Sequence, residues 1–323
     1  MAVLEIKHLT TEFSTENGTV QAVRDVSLSV EKGKVLGIVG ESGSGKSQTM
    51  FSIMGLLAGN GKVVDGDITI DGVDISPKNF SSAKEYEAKM SEIRGNDMAM
   101  IFQDPMTFLN PVLRIDQQLM EPILNHNDIS KEEARQRAIE LMKKVGIPSP
   151  ESRLKQYPFQ FSGGMRQRII IAIALACNPK VVIADEPTTA LDVTIQAQVL
   201  DLLSSLKDEL DAGVIMITHD LGVVASMCDD ICIMYGGKIV ERGSVDEIFY
   251  DPKHPYTKGL LSCISNPEEE ISKKLKPIPG SPPDLLNIGD YCPFADRCEE
   301  AMKICTCIRR CQDGCLVSVV CGP

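Results

Sequence analysis

The eight residues GESGSGKS at 40–47 constrain this chain more than any other stretch. They fit the pattern G-x-x-x-x-G-K-[ST] and lie between an apolar run, VLGIV at 35–39, and a helical run that begins near Lys46. That order predicts a buried strand, a tight glycine-rich turn and a helix whose first N–H groups have no partner within the helix. Such a terminus suits a ligand rich in oxygen and negative charge, because the amides and the helix dipole both favour an anion. A triphosphate is the ligand expected. Lys46 would neutralise its β and γ phosphates and Ser47 would hold Mg2+ through the hydroxyl, with Gly40, Glu41, Ser42, Gly43, Ser44, Gly45 and Gln48 completing the contacts.

Further apolar, β-branched runs recur at 98–102, 181–184, 214–218 and 231–235, each bounded by Gly, Asp or His. Between them lie helical patterns. At 131–145, Ala134, Ala138, Leu141, Met142 and Val145 share a face, and Ser130 with Glu133 forms a capping box. Alternating strands and helices predict an α/β fold with a mainly parallel sheet. Residues about 104–160 are richer in helical signals and read as an inserted helical subdomain. Beyond about residue 250 prolines break the periodicity, which predicts a loop-rich appendage.

Two more constellations carry chemistry. The strand VVIADE ends in Asp185 and Glu186, at the carboxyl edge where ligands of α/β sheets bind. Asp185 could serve the Mg2+ shell, and Glu186 could take a proton from the attacking water or orient it; alone, the pair could equally begin a turn before Pro187. FSGGMRQR at 161–168 opens another helix, with Ser162 as N-cap and two glycines baring the first turn. A chain that already owns one phosphate cradle has little use for a second in the same site, so this terminus reads as serving a partner's nucleotide.

Composition narrows the classes. The longest apolar run is nine residues, 169–177, against the ~20 needed to cross a bilayer as a helix. Glu5 and Lys7 interrupt what would be the apolar stretch of a signal peptide, so a cytosolic location is expected. A formal net charge of -12 argues against nucleic acid as a partner. Eleven cysteines in such a compartment would be thiols or ligands, and seven of them fall at 292 or later.

Taken in order, these motifs resemble the ATP-binding-cassette family over roughly residues 4–250. The resemblance implies a P-loop NTPase fold of that type, with two cassettes arranged head to tail and each ATP lying between one phosphate loop and the opposite signature. The signature here is Ser162, Gly163, Gly164 and Met165, the last in place of the usual Gln. Gln103 matches the Q-loop, which touches Mg2+ and relays nucleotide state to a membrane partner. His219 matches the switch histidine at the γ-phosphate, and Asp192 matches the D-loop of the dimer interface. Phe13 falls where the family stacks an aromatic on adenine, although its place would suit a core residue equally. With Lys46, Asp185, Glu186 and His219 all present, an active ATPase is expected.

MTFLNP after the Q-loop, HPYTKGLL at 254–261 and PIPGSPPD at 277–284 resemble one branch, the ATPase subunits of oligopeptide, dipeptide and nickel importers. That branch implies a second homologous ATPase subunit, two permease subunits, an external solute-binding protein and a place at the cytoplasmic face of the membrane. The expected domains are a nucleotide-binding domain at 1–250 and an extension at 251–323. Peptide is the expected cargo, with nickel the alternative within the branch; a soluble cassette ATPase outside transport and a subunit that binds ATP without turnover are the readings from other classes. In the extension, Cys292, Cys298, Cys305 and Cys321 match tails of this branch that are thought to hold a [4Fe-4S] cluster. Four thiolates suit a cluster or Zn2+ alike, and Cys307, Cys311 and Cys315 are extra to the pattern, so uncoordinated thiols stay open as well.

Overall fold

The computed structural model describes residues 2–103, 108–189, 192–209, 211–263 and 278–306. Its strands are β1 (Ala2–Thr15), β2 (Gly18–Glu31), β3 (Val35–Val39), β4 (Gly61–Ile70), β5 (Val73–Asp74), β6 (Met98–Ile101), β7 (Val181–Asp185), β8 (Gly213–Ile217), β9 (Asp230–Tyr235) and β10 (Lys238–Ser244). Its α-helices are α1 (Lys46–Met54), α2 (Ala83–Ile93), α3 (Ile115–His126), α4 (Lys131–Lys144), α5 (Pro150–Arg153), α6 (Gly163–Ala174), α7 (Val193–Glu209), α8 (Leu221–Met227), α9 (Val245–Tyr250) and α10 (Pro255–Ser262). Contacts divide the chain into two units, one of Met1–Glu5, Ser29–Val35 and Ile68–Ile217, the other of Ile6–Leu28, Leu36–Asp67 and Thr218–Pro323.

In the first unit β6, β7 and β8 run parallel, with Met98 opposite Val181 and Val181 opposite Gly213. Every residue of β6 and β7 is buried. Their unbroken apolar runs are what a parallel strand covered on both faces requires. Between β6 and β7 the chain forms helices α3, α4 and α5, followed by α6. Helix α4 starts on its capping box, the Ser130 hydroxyl accepting from Glu133 N at 3.2 Å while Ser130 N donates to Glu133 Oε2 at 2.8 Å. Ala134, Ala138, Ile139 and Met142 form its buried face. Helix α6 packs on α3, α4, α7 and β6, which explains why Ile169, Ile170, Ile171 and Ala172 are all buried.

In the second unit β3 pairs in parallel with β9, from Leu36 opposite Asp230 to Val39 opposite Ile233. Strand β10 returns antiparallel to β9 with a bulge between Ile239 and Glu241. Glu241 is buried there, and its carboxylate accepts from Lys253 N at 2.6 Å and His254 N at 3.1 Å, which seats the start of α10. Tyr235, Tyr256 and Phe294 then pack in tilted and edge-on pairs with centroids 4.5 to 5.3 Å apart, holding α10 and the turn at 293–298 against β9.

The five runs read as strands all form strands, with ends within one or two residues of expectation. Strands β1, β2, β4, β5 and β10 lay outside that reading. In β1 and β2 the cause is local: His8 at φ 53° and Asp25 at φ 56° stand in left-handed backbone, joined by a 2.7 Å contact between Nδ1 and Oδ1. Each irregularity shifts the in–out alternation by a residue, so the two-residue period slips partway along the strand.

Candidate functional site

The second unit holds the glycine-rich loop. Strand β3 ends at Val39, the loop follows, and α1 begins at Lys46 with Gly45 as N-cap in left-handed backbone, φ 101°. Only glycine fits at two positions. A Cβ on Gly40 would lie 2.2 Å from Met234 O, and one on Gly45 would lie 2.4 Å from Ala22 O. Both neighbours are backbone atoms that cannot swing aside. The Lys46 side chain is buried and lies across the loop, donating to Gly40 O at 2.7 Å and Glu41 O at 2.9 Å. Ser44 Oγ is buried without a hydrogen-bond partner. A buried hydroxyl left unsatisfied costs roughly 1 to 3 kcal/mol, and a phosphate oxygen in the loop would satisfy it. Ser47 and Gln48 are half-buried in the first turn of α1, while Ser42 and Gly43 are exposed.

Two further predicted residues belong to this unit. His219 is exposed just beyond Thr218, whose amide donates to Ile38 O at 3.3 Å, so it stands beside the end of β3. Asp220 follows as the N-cap of α8, accepting from Gly222 N at 2.8 Å and Val223 N at 3.4 Å. Phe13, half-buried on β1, lays its ring against the backbone of Gly61, where a Cβ would come within 2.5 Å of Cε1.

The first unit gathers the carboxylates and the signature. Asp185 is buried at the end of β7, and Glu186 leaves the strand in left-handed backbone, φ 45°, its amide donating to Ile217 O at 2.9 Å. Gln103 Nε2 donates to Glu186 Oε2 at 3.0 Å and Thr189 Oγ1 donates to the same oxygen at 2.9 Å. Thr189 was not among the residues singled out from the sequence, and nothing in its surroundings there distinguishes it. At α6 the Ser162 hydroxyl caps Met165 N at 3.3 Å. Gly163 is exposed with open space around it, whereas a Cβ on Gly164 would meet Ile195 Cγ2 at 2.5 Å. Asp192 Oδ1 accepts from Ile195 N at 3.0 Å at the start of α7. The signature and Asp192 are therefore brought together through Ile195.

Three tail cysteines lie close to one another. Cys292 N donates to Cys305 O at 3.0 Å, Met302 N reaches Cys305 Sγ at 3.4 Å, and Cys305 packs with Ala295 and Cys292. Burial raises the thiol pKa of Cys292 and Cys298, and the charge of nearby Cys305 pushes both the same way. Among the described residues no group of three or more His, Cys, Asp or Glu is arranged to hold a metal ion. Cys321 lies outside the described residues, as do Cys307, Cys311 and Cys315.

The chain matches the family described as ABC transporter over residues 23–189 and that described as oligopeptide/dipeptide transporter, C-terminal region, over 240–305. It is 52% identical to the oligopeptide transport ATP-binding protein OppD of Bacillus subtilis (strain 168), covering 94% of this chain and 83% of that protein. The dipeptide transport ATP-binding protein DppD of the same organism is 52% identical over 94% of this chain and 88% of its own length. Among solved structures, the dimeric post-hydrolysis state of the ATP-binding cassette MJ0796 bound to ADP and Pi superposes with a TM-score of 0.65 at 28% identity, covering 75% of this chain and 98% of that one.

Proposed function

The chain belongs to the ABC transporter family, and from that premise we propose that it is the ATP-hydrolysing subunit of a di- or oligopeptide importer. The observation that carries the reading is the presence in one chain of the phosphate loop within 23–189 and the peptide-transporter region at 240–305. We assign the nucleotide-binding domain to 1–250 and the peptide-branch extension to 251–323.

The loop fits a nucleotide: Gly40 and Gly45 leave backbone room, Ser44 offers an unsatisfied hydroxyl, and Lys46 supplies the cation. Oxygen donors from Ser47, Gln103 and Asp185 suit Mg2+, which when bound would polarise the phosphate oxygens. Gln103 spends its amide N–H on Glu186, which leaves its carbonyl oxygen for such a role. Glu186, held by Gln103 and Thr189, would accept the proton of the attacking water, and His219 would contact the γ-phosphate from the end of β8. Phe13 would stack on the adenine. The bared turn at Ser162, Gly163, Gly164 and Met165, with Asp192 beside it, would act on the nucleotide of a second, homologous ATPase subunit.

Two permease subunits and an external solute-binding protein complete the assembly, which places the chain peripherally at the cytoplasmic face of the membrane. No described helix is long and apolar enough to cross a bilayer. For the tail we propose a [4Fe-4S] cluster on Cys292, Cys298, Cys305 and Cys321, with Zn2+ as the alternative. The sequence match of the tail carries this reading, since Cys292, Cys298 and Cys305 do not by themselves form a metal site among the described residues. Iron analysis and absorbance of anaerobically prepared protein separate the two.

The central test is reconstitution with the co-purifying permeases and solute-binding protein in liposomes. Labelled peptide should accumulate only with ATP, and Glu186→Gln should stop it. An assembly that hydrolyses ATP yet imports no peptide would overturn the cargo assignment.

A further inference from the structure

The phosphate loop is braced by more than its own strand and helix. Arg297, in the turn between Cys292 and Cys298, is held with its side chain 7% exposed. Its Nη1 donates to Glu41 Oε2 at 2.9 Å and to Tyr235 OH at 3.0 Å. Its Nε donates to Pro279 O at 2.8 Å and its Nη2 to Ile278 O at 3.2 Å. The guanidinium carbon also lies 5.6 Å from the Tyr235 ring centroid and 5.9 Å from that of Phe294. Four of the five guanidinium N–H groups are thereby spent, so the planar fork has one orientation. The extension reaches the same loop residue a second time, since Glu41 N donates to Tyr256 OH at 3.0 Å. Behind the loop Gly237 N donates to Ser44 O at 3.0 Å, and a Cβ on neighbouring Gly236 would lie 2.5 Å from Pro293 Cβ.

Glu41 is the second residue of a loop built to receive several negative charges. An unpaired carboxylate there would repel the phosphates and could fold across them. We propose that Arg297 is a positioning residue for ATP binding, holding the Glu41 carboxylate neutralised and to one side, so that the extension is a working part of the nucleotide site. This rests on the reading of residues 40–48 as the ATP loop.

The test uses the whole assembly and separates KM for ATP from kcat. Arg297→Gln should raise KM about five- to tenfold with kcat little changed, the size of one lost charge-assisted contact. Adding Glu41→Gln should bring KM back towards wild type, because the repelling charge is gone. Arg297→Lys, which keeps a cation with fewer donors, should fall between, and it carries the same test if the glutamine variant does not assemble. An unchanged KM, or a raised KM that Glu41→Gln does not lower, overturns the proposal; the latter would make Arg297 a structural brace only. Lys46→Ala separates the premise from the proposal. If it retains ATP as well as wild type does, the loop reading fails and the proposal with it; if it loses ATP while Arg297→Gln matches wild type, the proposal alone fails.

Discussion

Gln103 and Thr189 hydrogen-bond one and the same oxygen of Glu186, at 3.0 and 2.9 Å. Two donors converging on Oε2, with the backbone turned into left-handed φ at the same residue, fix a carboxylate that would otherwise sweep freely beyond the strand. Gln103 and the carboxylate are thus directly linked, so a movement of the 102–103 segment would be felt by the group proposed to take the water's proton.

Glu186→Gln preserves shape and the bond from Thr189 while removing the basic oxygen. Turnover should fall about 10²- to 10⁴-fold, the range of a lost general base, while ATP remains bound. Gln103→Ala should cost less, about tenfold, since Thr189 still holds Oε2. Single-turnover hydrolysis together with nucleotide retention on the assembled transporter distinguishes the two. Loss of retention in Glu186→Gln would mean that the carboxylate serves binding.

Gly164→Ala sets a Cβ 2.5 Å from Ile195 Cγ2. Overpacking of this kind costs roughly 1 to 3 kcal/mol and would push the N-terminus of α6 away from that of α7. Thermal unfolding should show the loss, and Ile195→Ala in the same chain should recover part of it by clearing the space. No recovery in the double variant would show that the two helix ends are not in contact.

Much of this was legible in the sequence, and the gaps have physical causes. Parallel strands such as β7 announce themselves because both faces are buried, leaving the unbroken run at 181–184. The phosphate loop is equally local, since glycines, lysine and helix start are consecutive. Strands β1 and β2 were hidden by their irregularities at His8 and Asp25. Contacts distant in sequence could not be seen at all: Arg297 lies 256 residues from Glu41, and only folding reveals the pair. Gly164 looked like a bare anion-binding turn, yet its close neighbour is the side chain of Ile195, so packing also demands the glycine there.

Thiol chemistry should follow burial. Cys232, fully buried on β9, has its pKa pushed up to about 12 by loss of solvent, which leaves essentially no thiolate at neutral pH. Cys263 is exposed at the end of α10, where a reagent can reach it. Brief treatment of the native protein with an alkylating reagent, followed by peptide mapping, should label Cys263 and spare Cys232 until denaturant is added. Equal labelling of both in the native state would contradict the packing of β9.

Acid sensitivity should trace in part to His254. Burial is the main cause that lowers its pKa to about 4, Glu241 pulling the other way. In the unfolded chain the same imidazole protonates near its ordinary 6.5. Between these values the unfolded state binds the extra proton, so stability rises with pH across the window, is fully present above 6.5 and is lost as pH falls towards 4. The contribution is at most about 3.5 kcal/mol, from about 1.4 kcal/mol for each pH unit that separates the two values. The variant to compare is His254→Asn. Its side-chain oxygen can still accept from Tyr256 N, as His254 Nδ1 does at 3.1 Å, so the cap of α10 survives while the titration is removed. Melting temperatures measured from about pH 7.5 down to about pH 5, the span over which the imidazole protonates in the unfolded chain, should fall more steeply for wild type than for the variant. Parallel curves would place the acid sensitivity elsewhere and leave His254 as a cap alone.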